Sequence, residues 1–314
     1  MFITALFAVL NLLLYAIPGY LLIRTRAVRQ ENISAFAKLL MYVCQPCLMV
    51  YSFLQVERNA PLVKNMLVFF ALTLFLQLAM ILFFFFCVRK KKEDVKYRVC
   101  AVASAFGNCA FLGVPLLEKM LPNYPEAIVF SNMFAISMNL LGWTLSSYII
   151  SLDRKYISVK KLVLNPAVLS CIVGIPLFAL GVTLDELPSF LSDFITLLAR
   201  MCTALCMLVM GMRLATIPVR ELFNKPFIYG VVFVKQVLYP LLALLAVYFL
   251  PVEDNMKVTL FILCCAPIAA VVQNYAELIG KGQDTAANLV LFGTFSSAIT
   301  IPLMSLIVTA LFGV

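Results

Sequence analysis

Histidine is absent from all 314 residues, and only 15 side chains are acidic. With no imidazole, and with every carboxylate in a loop or near the end of an apolar run, no nucleophile–base pair can be assembled. Hydrolase and protease chemistry therefore have no support, and an enzyme is not expected. Charge of either sign is scarce, 12% of residues against 64% hydrophobic. At a mean hydropathy of +1.03, that much apolar surface cannot be hidden inside one soluble core. A phosphate-cradling loop of the G-x-x-x-x-G-K-[ST] form is missing, which argues against ATP-driven pumping by this chain. The ten cysteines fall almost wholly within apolar runs, so neither a disulfide framework nor a metal site is indicated, and no cofactor is expected. Cys44-Gln-Pro-Cys47 matches a redox spacing but has no βαβ context, and it reads as a Pro-bent helix.

What the chain does have is a succession of apolar runs about 20 residues long, the length a helix needs to cross ~30 Å of hydrocarbon, without the alternation of a membrane barrel. Ten spans are expected, at 2–23, 33–55, 66–88, 99–121, 126–150, 162–182, 189–212, 226–250, 256–279 and 285–312. The fold class is all-α integral membrane. The first span lacks a basic leader and a small-residue cleavage site, so it is expected to stay in the mature protein.

Lysine and arginine set the orientation. The loops after spans one, three, five, seven and nine carry Arg24, Arg26 and Arg29; Arg89 through Lys92, Lys96 and Arg98; Arg154, Lys155, Lys160 and Lys161; Arg213, Arg220 and Lys225; and Lys281. The other loops carry only Arg58, Lys64, Lys119 and Lys257. Both termini are expected outside the cytoplasm, in the cytoplasmic membrane of a bacterium. The net charge of +9 reports this topology and a cationic rim that attracts lipid headgroups. It does not imply nucleic acid, because the basic residues are spread over five loops.

The basic stretch Leu152 to Lys161 divides the chain into two blocks of five spans, 1–153 and 154–314. An odd number per block makes the second half enter from the opposite side, an inverted repeat. Pro18 in span one and Pro176 in span six mark kinks at corresponding places. Span four has Gly107, Asn108 and Pro115, and span nine has Pro267 followed by Gln273 and Asn274. Spans four and nine are therefore expected to be broken. Broken helices meeting at membrane depth expose half-helix N-termini and free N–H groups, a site for an anion, to which the amides of Asn108, Gln273 and Asn274 add neutral donors and acceptors.

Two basic residues lie deep in spans, Arg200 in span seven and Lys235 in span eight. Arg200 is too central to snorkel with ease, and its planar fork suits a carboxylate; a bond to helix carbonyls is the other reading. Lys235 divides between snorkelling and function. Asn139 in span five is a further candidate that also reads as an interhelical hydrogen-bonding group, as do Gln45 and Gln77.

Gly107-Asn-Cys-Ala-Phe-Leu-Gly-Val-Pro-Leu-Leu117, Leu164-Asn-Pro-Ala, Lys235 through Pro240, Ala266-Pro267 through Gly280, and Leu291 through Pro302 together resemble the auxin efflux carrier family, which includes plant PIN-type carriers and bacterial malate and malonate permeases. The resemblance runs over essentially the full length. It implies ten helices in two inverted five-helix repeats, with spans four and nine crossing at the substrate site and a scaffold of spans one, two, six and seven against which the others move. Asn108 matches the crossover asparagine that contacts the substrate carboxylate in PIN-type carriers, Pro267 the crossover proline, and Lys235 a basic position common in the family. A homodimer is compatible with the resemblance. Gly107 stands where plant carriers have proline, and the long cytoplasmic loop of many plant members is reduced to about ten residues, which points away from auxin as the substrate. Arg200 matches no recognised basic position. The resemblance implies a carrier of a small organic anion, a mono- or dicarboxylate, working by an elevator-like shift. The alternative is a membrane sensor or a lipid- or sterol-binding protein that keeps the fold without transport.

Overall fold

Apolar runs of this length leave the backbone no partner but itself in a bilayer, so each N–H and C=O has to be satisfied within its own helix. In the computed structural model, which describes residues 1–157, 159–216 and 225–313, the chain is an all-α membrane protein with twelve principal helices among those residues. Ser158 and Arg220 of the expected basic connections lie outside the described residues. Among the described residues, seven helices are long and apolar enough to cross a membrane: α1 (Phe2–Arg24), α2 (Gln30–Leu54), α3 (Ala60–Cys87), α6 (Glu126–Ser151), α8 (Ser189–Thr216), α9 (Pro226–Tyr248) and α12 (Gln283–Phe312). The shorter ones are α4 (Val95–Ala103), α5 (Val114–Met120), α7 (Pro166–Ala179), α10 (Asp254–Cys265) and α11 (Val271–Ile279).

Two boundaries depart from the hydropathy reading for identifiable reasons. The expected span 66–88 starts at Ala60, because Asn59 caps it, its side-chain oxygen accepting from the Leu62 N–H at 2.7 Å, and Pro61 follows at the start of the helix; both are helix-start signals that hydropathy overlooks. The expected span 162–182 is a helix of only 14 residues. Asn165 caps it onto the Ala167 N–H at 2.9 Å, and Gly181, at φ +78°, turns the chain away beyond its end. At 1.5 Å per residue α7 is ~21 Å long, less than a hydrocarbon core.

Prolines accompany most of the places where the helices deform. Among the described residues, wide, π-type turns occupy Leu40–Cys44, Cys109–Gly113, Gly142–Ser146 and Val234–Leu238, and all but the one at Gly142 are followed two residues later by a proline: Pro46, Pro115 and Pro240. Proline removes one donor and pushes away the carbonyl four residues earlier, and a wide turn absorbs both effects. Pro18 acts similarly: the helix is interrupted at Tyr15, one turn before it. Pro176 lies inside α7, near its C-terminal end, without interrupting it.

The closest packing joins α1 to α8; α2 packs on α7 and α8, α3 on α6, and α9 on α10. The α1–α8 contact depends on two glycines. A Cβ at Gly19 would fall 2.0 Å from the Leu208 carbonyl oxygen, and one at Gly211 would fall 1.9 Å from that of Ala16. Backbone therefore rests on backbone, the small-residue mode by which membrane helices associate. Helix α6 is the most enclosed of the long helices, with 72% of its apolar window buried against 28% for α2. Gly211→Ala should destabilise the protein by about 1–3 kcal/mol, since the clash is with backbone that no rotamer change can relieve; a lowered melting temperature in detergent, with Gly230→Ala as the open-space control, checks it.

Candidate functional site

The two breaks are built against each other. Helix α4 ends at Ala103 and the chain resumes helical form at Cys109, in the wide turn that leads into α5; α10 ends at Cys265 and α11 begins at Val271. The extended pieces between them run antiparallel, with Gly107 opposite Ile268. The Asn108 N–H donates to the Pro267 carbonyl at 2.7 Å, and the Ala269 N–H donates to the Phe106 carbonyl at 3.1 Å. Each break thus satisfies the backbone groups that the other would leave orphaned. Glycine at 107 is a steric requirement, because a Cβ there would lie 2.9 Å from the Leu263 carbonyl oxygen and 3.2 Å from the Lys235 ammonium.

Lys235 is wholly buried. Its Nζ donates to the carbonyls of Cys264 at 2.5 Å and Ala266 at 3.0 Å, and it lies 5.1 Å from the centre of the Tyr239 ring. It caps the C-terminal end of α10, where the helix dipole is negative and the last carbonyls lack intrahelical partners. Of the two readings of Lys235, the structure does not bear out snorkelling: the side chain turns inward to the break. It does not line the crossover cavity, but bonds the backbone at the break beside it.

That cavity has a volume of about 50 Å³ and is ringed by five neutral amides: Gln45, Asn108, Asn139, Asn165 and Asn274. Three helical segments start at its wall, the turn beginning at Cys109, α7 after Asn165, and α11 after Ala270. The Asn139 amide donates back to the Ala135 carbonyl at 2.8 Å, that of Asn274 approaches the Met41 sulfur at 3.4 Å, and the Asn165 oxygen is used in capping α7. The Nδ2 of Asn108 is different: it is buried and has no hydrogen-bond partner. A buried unpaired donor costs roughly 1–3 kcal/mol unless something accepts from it.

Residues 4–305 match the family model for membrane transport proteins. The chain belongs to the auxin efflux carrier family. It is a transporter rather than an enzyme. No curated protein matches it.

The remaining sequence candidates of this family member divide between cavities. Pro267 contributes its carbonyl to the crossover pairing, and Gly107 the close approach. Gln273 faces a neighbouring pocket between α2, α8 and α11, where its amide donates to Glu277 at 2.8 Å beside Arg213, itself 3.4 Å from the same carboxylate. Arg200 is not at the crossover; it lines a separate cavity with Glu118 and Lys119. Hydropathy and kink reasoning passed over Asn165 as a lining residue and read Gln45 as an interhelical group. The Asn-Pro pair at a helix start is a signal that could have found Asn165, since it places the cap and the first N–H groups of α7 together. Lys235→Met should lower stability by about 2 kcal/mol or more, since two buried carbonyls lose their donor, while Lys235→Arg should recover part of it; thermal unfolding of the purified variants measures both.

Proposed function

We propose that this transporter carries a small organic anion, a carboxylate, bound at the crossover between the two broken spans. The observation that carries the reading is the Asn108 side chain on the wall of the crossover cavity, whose Nδ2 is buried and has no hydrogen-bond partner in the protein. Everything around it has the sign an anion needs. Helix N-termini carry about half a positive charge each, Lys235 stands behind the break, and among the described residues no Asp or Glu lines the cavity. The cavity, near 50 Å³, exceeds the ~10–15 Å³ needed to hold one water and leaves room for a carboxylate. Neutral amides then orient the group without the cost of desolvating another charge.

In this reading the seven long helices, the two broken spans and the short α7 make ten crossings, arranged as inverted repeats 1–153 and 154–314 with both termini on the side away from the basic loops. Substrate moves by an elevator-like displacement of the crossover against the helices packed around α1 and α8. The mutual pairing of the two breaks supports that idea, since the bonds from Asn108 to Pro267 and from Ala269 to Phe106 make them one unit.

Currents recorded from proteoliposomes on a solid-supported membrane, with jumps in a panel of mono- and dicarboxylates, test the proposal. Asn108→Ala is expected to reduce the carboxylate response at least tenfold, the scale of one lost hydrogen bond to a charged group. An unchanged response and unchanged apparent affinity in that variant would remove Asn108 from the site.

A further inference from the structure

The larger cavity that holds Arg200 lies along the same half-helix as the crossover. It measures about 280 Å³ and is lined by Asn11 of α1, Glu118 and Lys119 of α5, and Arg200 and Thr203 of α8. Glu118 is ten residues beyond Asn108, ~15 Å at helical rise. Leu48 in this cavity and Gln45 in the crossover cavity are one turn apart on α2. The two cavities therefore stack along the same helices, with this one toward the end of the bundle where Met120 and Ser189 lie.

Arg200 gives the cavity a chemical character. It is the twelfth residue of the 28-residue α8, ~16 Å from one end and ~24 Å from the other at 1.5 Å per residue. A charge at that depth needs solvent, a counter-ion or carbonyl partners. Among the described residues Arg200 has no carboxylate within 4.0 Å and no hydrogen bond to a helix carbonyl, although Glu118 faces the same space. Arg200 lines that space and is exposed, so its fork of donors stays available, and a guanidinium fork matches a carboxylate in two parallel bonds. Arg200 and Lys119 against Glu118 leave one net positive charge, which a single carboxylate neutralises.

We infer that Arg200, assisted by Lys119 and Thr203, forms an outer carboxylate-binding station on the route to Asn108, and that Glu118 competes with the substrate there and keeps its residence short. This rests on the carrier reading above. The station binds the arriving anion in a wet cavity on a partly charged wall, and the crossover then takes it with neutral amides and helix ends. A strong inner site of full charges would hold the anion too tightly to release it, so the charges are placed where water still competes.

Two measurements decide the matter, both with acetate, propionate and malonate as probes. In proteoliposomes of zwitterionic lipid, Arg200→Gln is expected to raise KM about tenfold, the worth of one charge-assisted hydrogen bond, with Arg200→Lys intermediate and Glu118→Gln lower than wild type. KM values for Arg200→Gln and Glu118→Gln within twofold of wild type, with uptake still lost in Asn108→Ala, would overturn the station and leave the carrier reading standing. If wild type takes up none of the probes, the carrier reading loses its support, and calorimetric titration of the detergent-purified protein still decides the station. Weak propionate binding that persists in Asn108→Ala and disappears in the Asn108→Ala, Arg200→Gln double variant supports it; binding that is absent from Asn108→Ala, or indifferent to Arg200→Gln, overturns it. Inhibition of uptake by added anionic lipid that Arg200→Gln relieves would assign the guanidinium to a headgroup and also overturn the station.

Discussion

Two helices that stop halfway through an apolar span expose backbone groups where water cannot reach them, and the way this protein satisfies those groups organises the rest of the molecule. The two extended pieces hydrogen-bond to each other, Asn108 to Pro267 and Ala269 to Phe106, and the carbonyls left at the end of α10 are taken by the Lys235 ammonium. Because unsatisfied polar groups at this depth cost several kcal/mol each, neither break is stable without the other. Glycine at 107 follows from the same constraint, since only a residue without a Cβ allows the lysine and the Leu263 carbonyl to come so near. The enclosed helix α6 supports the arrangement from the side, with Ser131 donating to the Cys109 carbonyl at 2.9 Å.

A consequence is a division of labour among polar residues. Basic side chains are used in two ways: Lys235 secures backbone inside the protein, and Arg200 lines a separate cavity some distance along α5 and α8. The space between the broken helices is left to amides and helix ends, which carry partial positive charge and no full charge. Proline placement gives the frame its bends. Wide turns before Pro46, Pro115 and Pro240 deform α2, the approach to α5, and α9, and the turns before Pro46 and Pro115 put Gln45 and Asn108 on the cavity wall.

Read from the residues alone, the membrane class, the helical nature of the spans, the breaks near Asn108 and Pro267 and the family resemblance were all accessible. Each of these rests on local physics: hydropathy over about 20 residues, missing donors at proline, backbone freedom at glycine. The start of α3 and the shortness of α7 were also encoded, in Asn59 with Pro61 and in Asn165 with Pro166, but hydropathy does not weigh caps. The match of residues 4–305 to the auxin efflux carrier family is in the same category, because it is carried by motifs contiguous in sequence.

Only the tertiary structure decided which polar residues share a cavity. Arg200, Lys235 and Asn108 are all deep in apolar spans, and linear spacing gave no reason to separate them. Whether a side chain meets a carbonyl, a carboxylate or open space depends on how helices far apart in sequence are rotated against one another. Lys235 meets the end of α10 across 29 residues, Asn108 is bonded through its backbone to Pro267, and Arg200 looks onto α5. Local composition determined that this chain lives in a membrane and where its helices fail; the mutual pairing of the two failures, a contact between opposite halves of the sequence, determined which polar groups meet at the crossover.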